Sequence, residues 1–388
     1  MTQRIALRDI FFLFAAACLA LLPLTGQAQS TVPRAPSVEA RSYILMDARS
    51  GHIIVQHNAD QTMPPASLTK MMTAYIAERE IQSGNISLQD QAPVSVKAWR
   101  MGGSRTFLKE GTQVSIDDLL RGIIIQSGND ASVAMAEYIA GSEDAFADLM
   151  NQQARALNMN DTHFMNATGW PAENHHSTAH DMARLARAII NDYPEHYDIY
   201  AEKEFTYNGI TQTNRNLLLW RDSTVDGLKT GHTDEAGYCL VASAKRDEMR
   251  LISVVMGTAS EQARAQETQK LLTYGFRFFE SYKAYSANDV LANPDVWLGA
   301  ADTVRLGPEK DVQLTVPRDS ANRLQAEMTI NPQLRAPIEK GQQYGTVTIR
   351  LDDEVISETP LVALESVEEG GFFSRLWDHI MLFFKGLF

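Results

Sequence analysis

The residues best suited to chemistry in this sequence lie in the segment Ser67-Leu68-Thr69-Lys70, between two prolines and an apolar run. The prolines favour an extended approach and the apolar run has helical periodicity, so we expect Ser67 at or near a helix N-terminus. Residues three apart share one face of a helix, which places the Lys70 amine one turn from the Ser67 hydroxyl. The free N–H groups and the dipole at this end of a helix favour negative charge. Ser67 is therefore a candidate nucleophile, with Lys70 as its candidate base.

Two further short motifs follow in chain order. Ser127-Gly128-Asn129 interrupts two helical patterns, and Lys229-Thr230-Gly231 falls on a late strand pattern. Each motif is weak alone, because Ser67 could simply cap a helix and the other two could be ordinary turns. Together and in this order, at a helix start, an interhelical turn and a late strand, they form a specific combination.

The elements that must position these motifs follow from hydrophobic periodicity. Residues 42–58 predict a strand, turn and strand. Further strands are predicted at 224–229, 238–245 and 250–257, and helices at 116–126, 131–140, 142–157, 178–191 and 261–280. An early hairpin with three late strands predicts one mainly antiparallel sheet, with the helices of the middle of the chain packed on it. The expected fold class is α/β in the α+β sense, a sandwich with a helical insertion.

The C-terminal third has a different texture. Beyond about residue 281, short alternating runs divided by turn residues predict a separate small all-β domain. Residues 371–388 place most of their apolar side chains on one helical face, and they carry too many polar groups to cross a bilayer. We expect this segment to lie in a membrane interface, the alternative being a terminal helix docked on the protein's own core. The predicted domain boundaries are residues 29–282 for the α+β domain, 283–366 for the all-β domain and 367–388 for the amphipathic terminal segment.

The first 28 residues have the features of an export signal. Arg4 and Arg8 precede an apolar stretch, and small residues precede a predicted cleavage after Ala28. Cleavage would leave Cys239 as the only cysteine, which excludes an internal disulfide. The formal net charge of −13 makes the protein a poor partner for nucleic acid. We expect a periplasmic or extracellular product.

The three motifs together resemble those of the low-molecular-mass penicillin-binding proteins. More specifically, the chain is similar to the type-5-like D-alanyl-D-alanine carboxypeptidases of serine peptidase family S11. The similarity also covers residues 121–130, 212–220, 225–234 and 274–280, the β domain and the amphipathic tail. It implies a β-lactamase/transpeptidase-like fold and removal of the terminal D-alanine from peptidoglycan pentapeptides through an acyl-enzyme. It also implies acylation by β-lactams, a peripheral position on the periplasmic face of the inner membrane, and no metal or cofactor.

The resemblance and the chemistry of the residues agree on the main roles. Ser67 would attack the carbonyl between the two D-alanines, and Lys70 would act as base once burial and the neighbouring cation Lys229 lower its pKa. Lys229 and Thr230 would face the terminal carboxylate of the substrate. Gly231 would let the substrate lie along the strand edge.

Further roles rest on the resemblance. Ser127 would relay a proton to the leaving amine, and Asn129 would hold Lys70 and the substrate amide. The backbone N–H groups of Ser67 and His232 would form the oxyanion hole. Arg215 matches a family arginine and is a candidate second contact to the carboxylate, with a structural ion pair as the alternative.

Other residues suggest different chemistry. His176 and His180 have i, i+4 spacing that could bind a metal, but no further ligand pattern supports this. Glu173 could imitate the deacylating glutamate of β-lactamases, whereas the surrounding loop resembles that of the carboxypeptidases. Cys239 is predicted to be a core residue. The rival functions are a serine β-lactamase and a non-catalytic, membrane-tethered wall-binding protein.

Overall fold

A computed structural model of the chain describes residues 32–385, except for the side chains of residues 374 and 382–385. The predicted export signal at 1–28 lies outside these residues. From Ala35 onward the described chain forms one compact unit.

Within this unit the helices follow the predicted positions closely. Serine and threonine side chains cap several of them, as Ser115 does by accepting the Asp118 N–H. The α-helices of the described residues are α1 Lys70–Gln82, α2 Val96–Trp99, α3 Ile116–Ile124, α4 Asn129–Ala140, α5 Glu143–Ala156, α6 Ala179–Asp192, α7 Leu218–Arg221, α8 Glu261–Phe278 and α9 Phe372–Lys385. Short 3-10 helices span Ala66–Thr69, Tyr197–Ala201 and Ala321–Arg323.

The strands divide between the N-terminal and C-terminal parts of the unit. Those of the first part are β1 Ser42–Asp47, β2 Ile53–His57, β3 Gln91–Pro93, β4 Gln113–Ser115, β5 Glu204–Tyr207, β6 Ile210–Thr213, β7 Val225–Thr233, β8 Gly237–Arg246 and β9 Met249–Thr258. Those of the second are β10 Phe279–Tyr285, β11 Val296–Trp297, β12 Leu306–Gly307, β13 Val312–Pro317, β14 Leu324–Ile330, β15 Leu334–Arg335, β16 Gln343–Leu351 and β17 Glu354–Ala363.

The main sheet has five antiparallel strands in the order β2-β1-β9-β8-β7. Its strands alternate their buried side chains between two faces. Ile44 and Val254 belong to the large core that contains the helices of the middle of the chain. On the other face, α8 approaches so closely that a Cβ at Gly275 would lie 2.5 Å from Leu251. The predicted antiparallel sheet with packed helices is confirmed.

The strand that carries the Lys229 motif is longer than predicted. The sequence pattern predicts an end at residue 229, but β7 continues to Thr233. The reason is its pairing with β8, in which Gly231 lies opposite Cys239 and Thr233 opposite Gly237. Since β7 is the last strand in the sheet order, no strand among residues 32–385 pairs with its side away from β8.

The C-terminal part is all-β down to the final helix, as predicted. Its largest sheet has the order β12-β17-β16-β14, and it is accompanied by the pairs β10-β13 and β11-β15. Buried apolar residues such as Val316, Val347 and Leu361 give it a core of its own. Hydrogen bonds connect it to the β1–β2 hairpin, including one of 2.7 Å from Ser281 Oγ to Asp47 Oδ2.

The final helix α9 turns apolar side chains outward. Phe373 is 83% exposed and Trp377 is 64% exposed. On its polar side, Asp378 accepts the Leu298 backbone N–H at 2.6 Å, and Arg375 forms an ion pair with Glu369. Neither this helix nor any other among residues 32–385 has the length and apolar character needed to cross a membrane.

Candidate active site

Ser67 and Lys70 lie where a 3-10 turn becomes a helix. Ser67 is in the turn Ala66–Thr69, and Lys70 is the first residue of α1. The Lys70 Nζ donates to Ser67 Oγ at 3.0 Å and to the Thr168 carbonyl at 2.5 Å. Lys70 is only 1% exposed, whereas Ser67 is half-buried. An enclosed amine therefore contacts a hydroxyl that solvent can reach.

Burial, and after it the positive charge of Arg215, lower the pKa of the Lys70 ammonium to about 7 against the opposing charge of Asp130. Arg215 acts as a neighbouring cation on Lys70, and the expected interaction between the two lysines appears in the pKa of Lys229. Two enclosed amines that lie close together cannot easily both stay charged. Burial and then Lys70 hold the pKa of Lys229 well below its usual range.

Ser127 lies in the break between α3 and α4, and Asn129 is the first residue of α4. Ser127 has a left-handed backbone with φ of 65°, and both residues are buried. The Asn129 side chain donates from Nδ2 to the Gly102 carbonyl at 2.7 Å. The expected contact between Asn129 and Lys70 is replaced by the contact of Lys70 with the Thr168 carbonyl, because the 166–170 turn lies against the Lys70 amine.

The β7 motif lies against the nucleophile's turn. Lys229 is buried and donates from Nζ to the Thr230 carbonyl at 3.1 Å. A Cβ at Gly231 would lie 3.2 Å from the Pro65 carbonyl oxygen and 3.3 Å from Ala66 Cβ. A glycine therefore allows β7 to approach the turn that carries Ser67. The next residue, His232, is exposed and stacks on Tyr238 with ring centroids 4.0 Å apart.

A cavity of about 480 Å³ opens at the nucleophile. Ser67, Asn129 and His232 line it. Its other lining residues are Gly103, Ser104, Thr168, Gly169, Trp170, Pro171, Thr233, Asp234 and Glu235. Among the described residues, the remaining predicted site residues are not part of this lining: Lys70, Ser127, Arg215, Lys229, Thr230 and Gly231.

Two arginines lie close to the buried amines of the site. Arg215 is exposed, forms no ion pair within residues 32–385, and lowers the pKa of Lys70, Lys229 and Arg264. The alternative of a structural ion pair for Arg215 is thus not what the structure contains. Arg264 of α8 is buried, approaches the Gly231 carbonyl at 3.4 Å and lies over Tyr238. The two arginines thus bring positive charge near the buried amines, whereas two side chains of the cavity lining are acidic.

Sequence reasoning missed two contributors to this site. Arg264 had a usable signal, because it lies at i, i+4 and i+7 spacing with the buried Thr268 and Leu271 of α8. Thr168 had none, because it contributes its backbone carbonyl.

The two histidines that suggested a metal site each bond to a different partner. His176 Nδ1 pairs with the Asn174 carbonyl and His180 Nδ1 with Asp60 Oδ1, each at 2.9 Å. Residues 32–385 contain no cluster of three His, Cys, Asp or Glu side chains arranged for a metal. Glu173 lines a neighbouring cavity of about 650 Å³, whose lining does not include Ser67. Burial raises the pKa of the Cys239 thiol to about 11.

Comparisons with known proteins agree with this geometry. Residues 29–260 match the family profile described as D-alanyl-D-alanine carboxypeptidase, peptidase S11, and residues 279–369 match that of the penicillin-binding protein 5 C-terminal domain. The D-alanyl-D-alanine carboxypeptidase DacA of Escherichia coli strain K12 is 46% identical over 368 residues, which cover 93% of this chain and 91% of the relative.

Solved structures of penicillin-binding proteins are also similar to this chain. Penicillin-binding protein 5 from Haemophilus influenzae is 41% identical, with a TM-score of 0.84 over 87% of this chain and 100% of its own. Penicillin-binding protein D2 from Listeria monocytogenes, in its ampicillin-bound form, is 29% identical, with a TM-score of 0.58 over 62% of this chain and 100% of its own. The chain therefore belongs to the D-alanyl-D-alanine carboxypeptidase family of penicillin-binding proteins, peptidase family S11.

Proposed function

We propose that this protein is a serine-type D-Ala-D-Ala carboxypeptidase that removes the terminal D-alanine from peptidoglycan pentapeptides. The observation that carries the proposal is the 3.0 Å contact between Lys70 Nζ and Ser67 Oγ. A lysine is a base at neutral pH only when its pKa is far below 10.5, and the pKa of Lys70 is about 7. No cofactor takes part in the proposed reaction.

The proposed reaction has two halves. Ser67 Oγ attacks the carbonyl between the two D-alanines while neutral Lys70 takes its proton, and the oxyanion is stabilised by the N–H groups of Ser67 and His232. The C–N bond then breaks, and the leaving amine of D-alanine receives a proton through Ser127. Water afterwards hydrolyses the ester and releases the shortened peptide together with free Ser67.

We further propose that the residues of the β7 motif and Arg215 recognise the carboxylate of the terminal D-alanine through hydrogen bonds and the charge of Arg215. Lys229, Thr230 and Arg215 are the contacts, and Asn129 holds the substrate amide. The edge of β7 away from β8 offers main-chain pairing to an extended peptide, and Gly231 would contribute by letting this edge lie close to the turn that carries Ser67. Substrate specificity would thus rest on the negative charge of the substrate's terminal carboxylate and on its extended backbone.

β-Lactams would acylate the same serine. The ampicillin-bound form of the D2 protein supports this proposal, since that protein shares the fold. A serine β-lactamase remains the enzymatic rival, and it differs by rapid turnover of penicillin. A non-catalytic wall-binding protein is the other rival, and it predicts peptide binding without acylation. The enclosed Lys70 beside Ser67 argues against the non-catalytic alternative, because burying an amine costs stability.

The proposed location is the periplasmic face of the bacterial inner membrane. The signal-like residues 1–28 would direct export, and residues 371–388 would bind the membrane surface. The outward-facing aromatic side chains of α9 and the inward-facing Asp378 support this orientation. In this proposal residues 29–282 form the catalytic domain, residues 283–366 an all-β domain and residues 367–388 the anchor. Removing residues 371–388 should release an active enzyme from membranes; a truncated enzyme that still pellets would contradict it.

The direct test of activity is D-alanine release from diacetyl-Lys-D-Ala-D-Ala. We expect release by the purified protein and none by Ser67→Ala, with penicillin remaining bound for far longer than one peptide turnover. Release that persists in Ser67→Ala would refute the assignment of the nucleophile. Rapid penicillin hydrolysis without peptide cleavage would favour the β-lactamase.

A further inference from the structure

The turn that contacts Lys70 is organised by a single side chain, that of Asn166. Its Oδ1 accepts hydrogen bonds from the backbone N–H groups of Thr168, Gly169 and Trp170 at 2.8–3.1 Å. It also accepts from the Thr168 hydroxyl at 2.9 Å, while Nδ2 donates to the Trp170 carbonyl at 2.9 Å. One amide therefore pairs with three backbone N–H groups, one carbonyl and one hydroxyl of the 166–170 turn.

This turn touches both members of the nucleophile–base pair. The Thr168 carbonyl accepts from Lys70 Nζ. Gly169 has φ of +82°, and a Cβ there would lie 1.8 Å from the Ala66 carbonyl oxygen and 3.0 Å from Ser67 N. The turn thus lies directly against the peptide group of the nucleophile. A displacement of the turn would move the Lys70 environment and the proposed oxyanion donor together.

A second side chain, His175, connects this turn to α1. Its Nε2 lies 2.9 Å from Thr69 Oγ1, and its Nδ1 lies 3.4 Å from Asn166 Nδ2. Thr69 immediately precedes Lys70, and His175 is buried. The histidine therefore spans the gap between the Asn166 turn and the residue beside the proposed base.

The hydrogen bonds of Asn166 determine the proton position on His175. Because Oδ1 faces N–H donors and Nδ2 faces a carbonyl, the orientation of the Asn166 amide is fixed. Its Nδ2 can only donate, so His175 Nδ1 must be the acceptor and the ring proton must be on Nε2, where it is donated to Thr69. A protonated His175 would place two N–H donors face to face.

The charged neighbours of His175 also favour the neutral ring. Burial first, then His163, His176 and Lys70, lower the pKa of His175 to about 4. No carboxylate contributes to this shift. The ring therefore stays neutral at the pH where Lys70 changes charge.

We propose that Asn166 and His175 are a pair of positioning residues that hold the Thr168 carbonyl and the Ser67–Lys70 turn in the arrangement needed for proton transfer. This inference rests on the proposed function, in which Lys70 is the base. Neither residue touches the reacting atoms. Both act through the backbone of the 166–170 turn and through Thr69.

The first experiment compares Asn166→Ala with the wild-type protein. We expect kcat for D-alanine release to fall about 10- to 100-fold, since small misplacements of catalytic groups cost rate on this scale, while KM changes less than threefold. His176→Gln is the matched control, because His176 lines the same cavity as His175 but its side chain hydrogen-bonds to the Asn174 carbonyl and not to the 166–170 turn. It should retain wild-type kcat. An Asn166→Ala variant with unchanged kcat would overturn the proposal.

The second experiment uses the nearly isosteric Asn166→Asp and the pH dependence of kcat/KM. A carboxylate facing Nδ1 favours the protonated ring and should bring the ionisation of His175 into the range of pH 5–8. We expect an additional ionisation in this profile, and we expect it to disappear in the double variant Asn166→Asp/His175→Gln. A profile of unchanged shape, or an ionisation that survives in the double variant, would refute the pairing.

Failure of the proposed function can be distinguished from failure of this inference. Should the wild-type protein release no D-alanine, the carboxypeptidase assignment fails. The pair is then tested by the rate of acylation with labelled penicillin, which needs only the Ser67–Lys70 chemistry. Equal acylation rates in Asn166→Asp and wild type across pH 5–8 would then reject the positioning role.

Discussion

Replacing Arg215 by glutamine should raise the pKa of Lys70. Arg215 is the charged group that most lowers this pKa, after burial itself. Its side chain is exposed, so solvent screens the effect and we expect a rise of about one pKa unit. At pH 7 the neutral fraction of Lys70 would then fall from about one half to about one tenth, a roughly fivefold loss of active base.

The lowered pKa of Lys70 greatly increases the fraction of this lysine that is neutral at pH 7. A lysine that kept the ordinary pKa of 10.5 would be neutral in only about one molecule in 3,000 at pH 7. The lowered pKa therefore supplies about three orders of magnitude of usable base. Since the base must be unprotonated, the rate of acylation should rise with pH through about 7 and level off above it.

The assay is the rate of acylation by labelled penicillin between pH 5.5 and 9. Arg215 is also a proposed contact of the carboxylate, so Arg215→Gln should lower the rate at every pH. The midpoint of the profile reports Lys70 separately and should move upward by about one unit. Arg215→Lys keeps the charge and should restore the wild-type midpoint. An Arg215→Gln profile with the wild-type midpoint would refute the electrostatic reasoning.

Three further predictions concern buried groups. Lys70→Met should be inactive but more stable than the wild type at pH 7, by about 1–3 kcal/mol in urea unfolding. Between pH 7 and 10.5 the unfolded wild-type chain holds the lysine proton and the folded chain does not, so the wild type gains stability as pH rises and the advantage of the variant should shrink. A variant that is less stable than the wild type at pH 7 would contradict this. Gly169→Ala should abolish penicillin acylation because its Cβ would meet the Ala66 carbonyl, whereas Gly209→Ala, also at positive φ but with open space around it, should retain acylation; equal acylation by the two variants would contradict this. Cys239 should resist thiol reagents at pH 8 until the protein unfolds, because burial raises its thiol pKa to about 11; rapid labelling of the folded protein would contradict this.

The fold was largely predictable because its elements are local. The β1–β2 hairpin, the helices of the middle of the chain and the order of the late strands all follow from periodicity and capping residues. The extension of β7 to Thr233 was not predictable, since it depends on pairing with β8 through Gly237. Strand ends in a sheet are determined by the partner as much as by the strand itself.

Ser67, Lys70 and the two later motifs were identified from residue types and order. What the sequence did not provide is the set of backbone and cross-chain contacts that tune them. The carbonyl of Thr168 reaches Lys70 across 98 positions, and the influence of Arg215 on the pKa of Lys70 depends on distance in the folded chain. The residue types predict two lysines close together, but they do not reveal Arg215 as a further cation whose charge acts on Lys70.

The central claim is that Ser67 is acylated with Lys70 as its base. It is tested most directly by mass spectrometry of penicillin-labelled protein after proteolysis. We predict one adduct, on Ser67, in the wild-type protein, none in Ser67→Ala, and acylation slowed by about 1,000-fold in Lys70→Met. An adduct on any other residue, or undiminished labelling of Lys70→Met, would contradict the account.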